Sequence, residues 1–256
     1  MQFTDQLGRT VKLNDFPKRI VSLVPSQTEL LFDLGLEDKV VGITKFCIHP
    51  ASWFKNKQRV GGTKNINLKA IEKLKPDLII ANKEENTQSE IENLMNLYPV
   101  WVSDIGNLED ALRMIVDVGE LTNTKKRAIE IAKNIKADFS SFKSVINKSA
   151  AYIIWNNPIM TINKTRFIND MLKRNGLINV FAEKAKEYPE ISKDELIRAN
   201  PEIILLSSEP FPFKEKHLQV FNEICPSAKV ILVDGEFFSW YGSRLQKSVS
   251  YFSTLF

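Results

Sequence analysis

The sequence predicts an α/β fold of two lobes, each a small parallel sheet flanked by helices, joined by a single long backbone helix. Three observations predict it. Strands and helices alternate in both halves, one segment recurs 125 residues further on, and a long uninterrupted amphipathic stretch lies between the copies.

The repeat is the strongest of the three. Residues 67–84 and 192–209 both read as a helix cap, a short amphipathic helix, a Pro-acid break, an apolar strand and a polar loop. Asn67 aligns with Ser192, Ile71 with Leu196, Pro76 with Pro201, Asp77 with Glu202 and Glu84 with Glu209. Two copies so far apart predict two similar lobes with a site between them.

The other elements follow in order. Residues 19–24 read as a strand ended by Pro25, and Ser26 to Glu29 has the Ser-x-x-Glu spacing of a capping box. Leu30, Leu31 and Leu34 continue a helix that Gly35 suits as a C-terminal stop. Strands are predicted at 39–43, 78–81 and 100–102, with a helix begun near Asn107. Such alternation implies parallel sheets with helices on both faces. From Thr124 to Lys148, Ala128, Ile131, Ala132, Ile135, Phe139, Phe142 and Ile146 recur at three- and four-residue steps without Gly or Pro. A helix of about 24 residues would be about 36 Å long and would act as a rigid spacer. A strand restarts at 151–155, the helix ending at Gly176-Leu177 echoes the one ending at Gly35-Leu36, and a last strand is predicted at 229–233. The expected domains are therefore an N-terminal lobe at 1–120, a connecting helix at 121–149 and a C-terminal lobe at 150–256.

Bulk properties narrow the function. In 256 residues, 43% hydrophobic and 26% charged content is that of a globular chain. A net charge of +4, from 35 basic and 31 acidic residues, is too mild and too evenly spread for nucleic-acid binding. No run approaches the roughly 18 apolar residues of a membrane span. The first twenty residues lack the apolar core of a secretory signal, so the chain is expected either in the cytoplasm or as a processed form. Cys47 and Cys225 form no disulfide framework. No Gly-x-Ser-x-Gly elbow, Walker loop or Gly-x-Gly-x-x-Gly is present, and with two histidines acid–base chemistry has few candidates, so no enzyme is expected and no residue is assigned a catalytic role.

Ligands of open parallel sheets bind beyond the carboxyl ends of the strands. The loops expected there are rich in rings: Phe46, Trp53, Tyr188, Phe211, Phe213, Phe237, Phe238, Trp240 and Tyr241. Such rings suit a large, flat, partly apolar ligand. Four rings in residues 237–241 cannot all face one core. Arg244 could grip a carboxylate, phosphate or amide oxygen of the ligand, or stand in a surface ion pair. Cys47, His49, Glu84 and Glu209 could together hold a transition metal, although their spacing is no zinc signature and a free Cys is usually a small buried hydrophobe. His217, after Lys214-Glu-Lys, reads as a solvated helix residue.

In these residues the chain resembles the periplasmic substrate-binding proteins of ABC importers for cobalamin and iron–siderophore complexes, two-lobed folds joined by one long helix. The resemblance runs from Gln6-Leu-Gly-Arg-Thr10 through nearly the whole chain and is best at 19–29, 67–79 and 238–244. It implies a non-enzymatic receptor that binds a corrinoid or ferric-siderophore chelate between its lobes and delivers it to the membrane subunits of an importer. It implies ligand contact by Pro25, Ser26, Gln27, Tyr188, Phe237, Phe238 and Arg244, to which the ring-rich loops add Phe46, Phe211, Trp240 and Tyr241. Two family tryptophans fall at Thr63 and near Asn82, which makes the N-terminal side more polar. The family docks through one acid on each lobe. Asp194 matches one, whereas Lys69 stands at the other, with Glu72 a turn further on. The resemblance further implies a monomer in the periplasm or on the cell-envelope exterior, with no cofactor of its own and with cobalt or iron carried by the ligand. The alternative is a cytoplasmic metal- or corrinoid-binding protein, or a metal-dependent enzyme, using Cys47, His49 and the loop glutamates.

Overall fold

The computed structural model describes residues 1–144 and 146–256, and contacts divide them into two compact units. Unit 1 comprises 1–105, 109–136 and 241–246, and unit 2 comprises 106–108, 137–240 and 247–256. The return of Tyr241–Gln246 to unit 1 departs from the expected boundaries, which leave the chain in the C-terminal lobe from residue 150 onward.

Unit 1 opens with an antiparallel pair, β1 (Gln2–Thr4) and β2 (Thr10–Lys12). Then come β3 (Ile20–Ser22), α1 (Pro25–Asp33), β4 (Val40–Ile43), α2 (Ala51–Asn56), β5 (Gln58–Arg59), α3 (Leu68–Leu74), β6 (Leu78–Asn82), α4 (Gln88–Met95), β7 (Val100–Ser103) and α5 (Leu108–Leu121). The sheet is parallel in the order β5-β4-β3-β6-β7. Val21, Leu23, Ile71, Ile79, Ala81, Leu94 and Val102 form part of its core.

α6 (Lys125–Ser141) leads into unit 2. There follow β8 (Lys148–Ile153), β9 (Ile159–Met160), α7 (Phe167–Arg174), β10 (Leu177–Asn179), β11 (Glu190–Ile191), α8 (Lys193–Ala199), β12 (Ile203–Ser207), α9 (Glu215–Ile224), β13 (Lys229–Val233), α10 (Glu236–Ser239) and α11 (Leu245–Phe252). Its parallel sheet runs β10-β8-β12-β13, the order of β4-β3-β6-β7 in unit 1, and β9 and β11 form an antiparallel pair beside it.

The sequence repeat is a structural repeat. α3 and α8 each span seven residues, capped by Asn67 accepting from the Ala70 amide and by Ser192 in a reciprocal box with Glu195. Each stops at a left-handed residue, Lys75 (φ 45°) or Asn200 (φ 43°), just before proline. The acid after that proline ties down the neighbouring strand in both copies. Asp77 accepts from the Lys18 and Arg19 amides, and Glu202 from the Ser149 amide, each at 2.8 Å. The helix–Gly–Leu echo also holds: Gly35 (φ 77°) and Gly176 (φ 70°) follow α1 and α7 in the left-handed region that glycine adopts freely.

Two expectations are corrected here. The helix from 124 to 148 is shorter: α6 has 17 residues, about 26 Å. Its stripe of Ala128, Ile131, Ala132, Ile135 and Phe139 is buried as predicted. Beyond Ser141, however, tertiary contacts take over. Phe142 packs on Phe252, and Ser144 donates to the Asn175 carbonyl at 2.6 Å. Val145, within the predicted helix, lies outside the described residues. Nor does Ser26 open a capping box. Proline tolerates the first helical position, so α1 starts at Pro25 with Val24 as its N-cap and no side-chain cap.

Candidate functional site

The carboxyl end of the unit 1 sheet is a buried polar network. Gln27, in the first turn of α1, donates to Ser103 at the end of β7 (2.5 Å), and Asn82 at the end of β6 donates to the Ser103 carbonyl and hydroxyl (3.1 and 3.0 Å). The Asn82 side chain also accepts from the Glu84 and Glu85 amides, while Asn86 donates to Leu23 and Thr63. These bonds shape the loop after β6. Pro25, Ser26 and Gln27 are buried there. The chain from Tyr241 lies against this turn, since a Cβ on Gly242 would come within 2.5 Å of the Ser26 carbonyl. Burial, followed by the charges of Glu85 and Glu84, pushes the Tyr241 phenol well above its ordinary range.

Arg244 stands in no surface pair. Its Nε and Nη2 donate to the two carboxylate oxygens of Glu29 at 2.8 and 3.0 Å, and both side chains are buried. The pair clamps the 241–246 segment to α1.

Cys47, on the loop after β4, is fully buried. Its sulfur lies 3.1 Å from the Thr28 hydroxyl and 3.2 Å from that of Thr44, and burial pushes its thiol pKa up. A thiol held neutral and enclosed is a packing group, which corrects its reading as a metal ligand. Among the described residues no group of three or more His, Cys, Asp or Glu gathers as a metal site requires. His49 and Glu84 are half-buried. Of the predicted rings in unit 1, Trp53 is buried and packs edge-on to Phe32, whereas Phe46 is 50% exposed.

Unit 2 has its own polar end. Tyr152 donates to Ser207 at the end of β12 (3.0 Å), and Ser207 donates to the Glu209 carbonyl (2.6 Å). The Glu209 carboxylate accepts from Ser239 (2.5 Å) and from the Trp240 indole (3.0 Å). Burial raises its pKa, with Glu236 and Asp234 adding to the shift and the Ser239 and Trp240 hydrogen bonds opposing it.

The four rings of 237–241 do part company. Phe237 stacks on Tyr251 with centroids 4.4 Å apart. Phe238 is fully buried against Tyr152 and Phe252, which makes it a core residue rather than a ligand contact. Trp240 serves Glu209, and Tyr241 belongs to unit 1. Phe211, another expected contact, sits in a cluster with Phe213 and His217 and packs on the unit 2 core. His217 is buried rather than solvated, its Nδ1 accepting from the Lys214 amide at 2.8 Å. Tyr188 is half-buried, with the Arg166 guanidinium 5.9 Å from its ring centroid. Asp194 and Glu72, the expected docking acids, are exposed on α8 and α3.

Trp155 was not singled out by the sequence. Predicted as strand, it follows β8, is 39% exposed and meets Phe211 edge-on at 5.5 Å. Its place as the last residue of the predicted strand was the available signal.

The two units carry similar parallel sheets with polar networks and exposed rings at their carboxyl ends. Residues 20–223 match the model of the periplasmic binding protein family, and the chain belongs to that family. A vitamin B12-binding protein of Vibrio parahaemolyticus is 27% identical over 76% of this chain and 72% of its own. An uncharacterized ABC transporter substrate-binding lipoprotein of Bacillus subtilis, YvrC, is 29% identical over 78% of this chain and 67% of its own. The solved periplasmic vitamin B12 binding protein BtuF of Vibrio cholerae shares the fold, with a TM-score of 0.75, 22% identity and coverage of 93% of this chain and 96% of that one.

Proposed function

We propose that this protein is the substrate-binding component of an ABC-type importer for a corrinoid or a related metal chelate, which it passes to a membrane permease outside the cytoplasm. Family membership and the similarity to vitamin B12-binding and lipoprotein relatives support the class. No helix among the described residues is long and apolar enough to cross a membrane.

The observation that carries the ligand class is the placement of large rings past strand ends. Phe46 follows β4 and Trp155 follows β8, and each keeps a large part of its surface accessible in its own unit. A corrin or a siderophore chelate offers wide, partly apolar faces to such rings. The metal would arrive inside the chelate, because no ligand set for a bare ion gathers among the described residues.

Quenching of tryptophan fluorescence by cobalamin, cobinamide, haem and a panel of ferric siderophores tests this reading. One of these ligands should bind saturably. Phe46→Ala and Trp155→Ala, the latter followed by calorimetry, should each weaken that ligand by about 1–3 kcal/mol. Failure of the whole panel, or unchanged affinity in both variants, would overturn the proposed site.

A further inference from the structure

We propose that the groove beside α3 in unit 1 docks an acidic segment of a protein partner. Two adjoining depressions of about 510 and 520 Å³ share Asn67 and Lys69. The first runs between the sheet-edge strand β5 and α3 and is lined by Arg59, Lys69 and Lys73. The second continues past Gly61-Gly62 to Lys45. Neither is lined by a carboxylate.

These four cations also lack acidic partners. Lys45 lies over the Phe46 ring, and Arg59 lies over Phe54 and donates to the Lys57 carbonyl. Among the described residues, none of the four forms an ion pair.

The charge opposes local stability at Lys69, while Lys73, in the last turn of α3, carries the sign the dipole favours. Lys69 is the second residue of α3, where the helix dipole disfavours a cation. Lys73 follows at i+4, where like charges repel. The repeat supplies an internal comparison. In α8 the position of Lys69 is held by Asp194, beside Glu195, with the sign the dipole favours. Unit 1 therefore carries a cationic cluster to which its described residues supply no carboxylate.

Charge complementarity selects an anionic occupant, and the shape of the groove selects a polypeptide. The cations line two successive depressions instead of converging on one point, as a small anion would require. Leu68, 44% exposed among them, offers apolar contact, and Asn65 and Asn67 offer amides to a main chain. The inference stands on this groove alone and is tested without any transported ligand, so it can fail or hold independently of the proposed function.

The test is fluorescence anisotropy with a labelled, Asp/Glu-rich peptide, a same-length Ser/Gly peptide and phosphatidylglycerol vesicles. The acidic peptide should bind, weaken with added salt and lose about tenfold or more in affinity to Lys69→Glu/Lys73→Glu. Lys126→Glu/Lys133→Glu makes the same change of net charge on exposed sites of α6 and should shift binding less than about twofold. Circular dichroism checks that both variants fold, and Lys69→Gln/Lys73→Gln should give a smaller loss in the same direction. Equal loss in both charge-reversed variants, no loss in the α3 variant, or preference for the vesicles would each overturn the proposal.

Discussion

Glu29 and Arg244 hold each other through two hydrogen bonds in surroundings that leave their side chains only 10% and 9% exposed. Removing one partner of such a pair strands a buried charge, which typically costs about 3–5 kcal/mol. Arg244→Ala should therefore lower unfolding stability by about that amount in urea, while Glu29→Leu/Arg244→Met should recover most of the loss. A single-variant cost below about 1 kcal/mol would show that the pair does not fasten 241–246 to α1. Asp117 on α5 makes a pH-dependent prediction. Burial, with a smaller contribution from Glu120 and against the pull of Arg113, raises its pKa to about 6. A carboxyl whose folded pKa exceeds its unfolded value binds its proton more tightly in the native state. Its contribution favours folding at low pH and is lost as pH rises from about 4 through about 6. Asp117→Asn should thus be more stable than the parent above pH ~7, with the gap closing toward pH ~4 in thermal melts. A gap constant with pH would show that Asp117 is not the titrating group. Neither the Glu29–Arg244 partnership nor the Asp117 shift was legible in the sequence. The first joins residues 215 positions apart, and the second depends on how deeply one turn of α5 is buried.

At the scale of elements, the sequence was most readable where local chemistry decides. Asn67 and Ser192 cap their helices, the Pro-acid breaks end them, and the apolar runs after them are β6 and β12. It misled where distant contacts decide. α6 has the stripe for a longer helix, but Phe142 and Ser144 are claimed by Phe252 and Asn175. Ser26–Glu29 has capping spacing, but Glu29 is claimed by Arg244. The twin glycines after α1 and α7 separate these influences experimentally. A Cβ on Gly35 would meet nothing within 4 Å, so Gly35→Ala should cost only the left-handed conformation, about 1–2 kcal/mol. A Cβ on Gly176 would lie 2.0 Å from the Ile146 carbonyl oxygen, so Gly176→Ala should cost clearly more. Equal losses by chemical denaturation would argue against the close packing of Ser144 and Ile146 on the end of α7.

For the whole molecule, the repeat and the strand–helix alternation were enough to foresee two units with matching parallel sheets, and the resemblance pointed to the family that the comparisons establish. The candidate site was less legible, because a ring near a strand end looks the same in sequence whether it supports a core, as Phe238 does, or stays accessible, as Phe46 does. What no local pattern revealed is that unit 1 is completed by a stretch near the far end of the chain. That has a consequence for the order of events during synthesis. Domains commonly fold as they emerge from the ribosome, amino end first. Here the amino-terminal unit lacks Tyr241–Gln246 until synthesis has passed the whole of residues 137–240, and until then Glu29 lacks the Arg244 guanidinium. The nascent unit 1 is thereby held short of its finished state while the intervening hundred or so residues of unit 2 are made, an interval in which chaperones can still engage it.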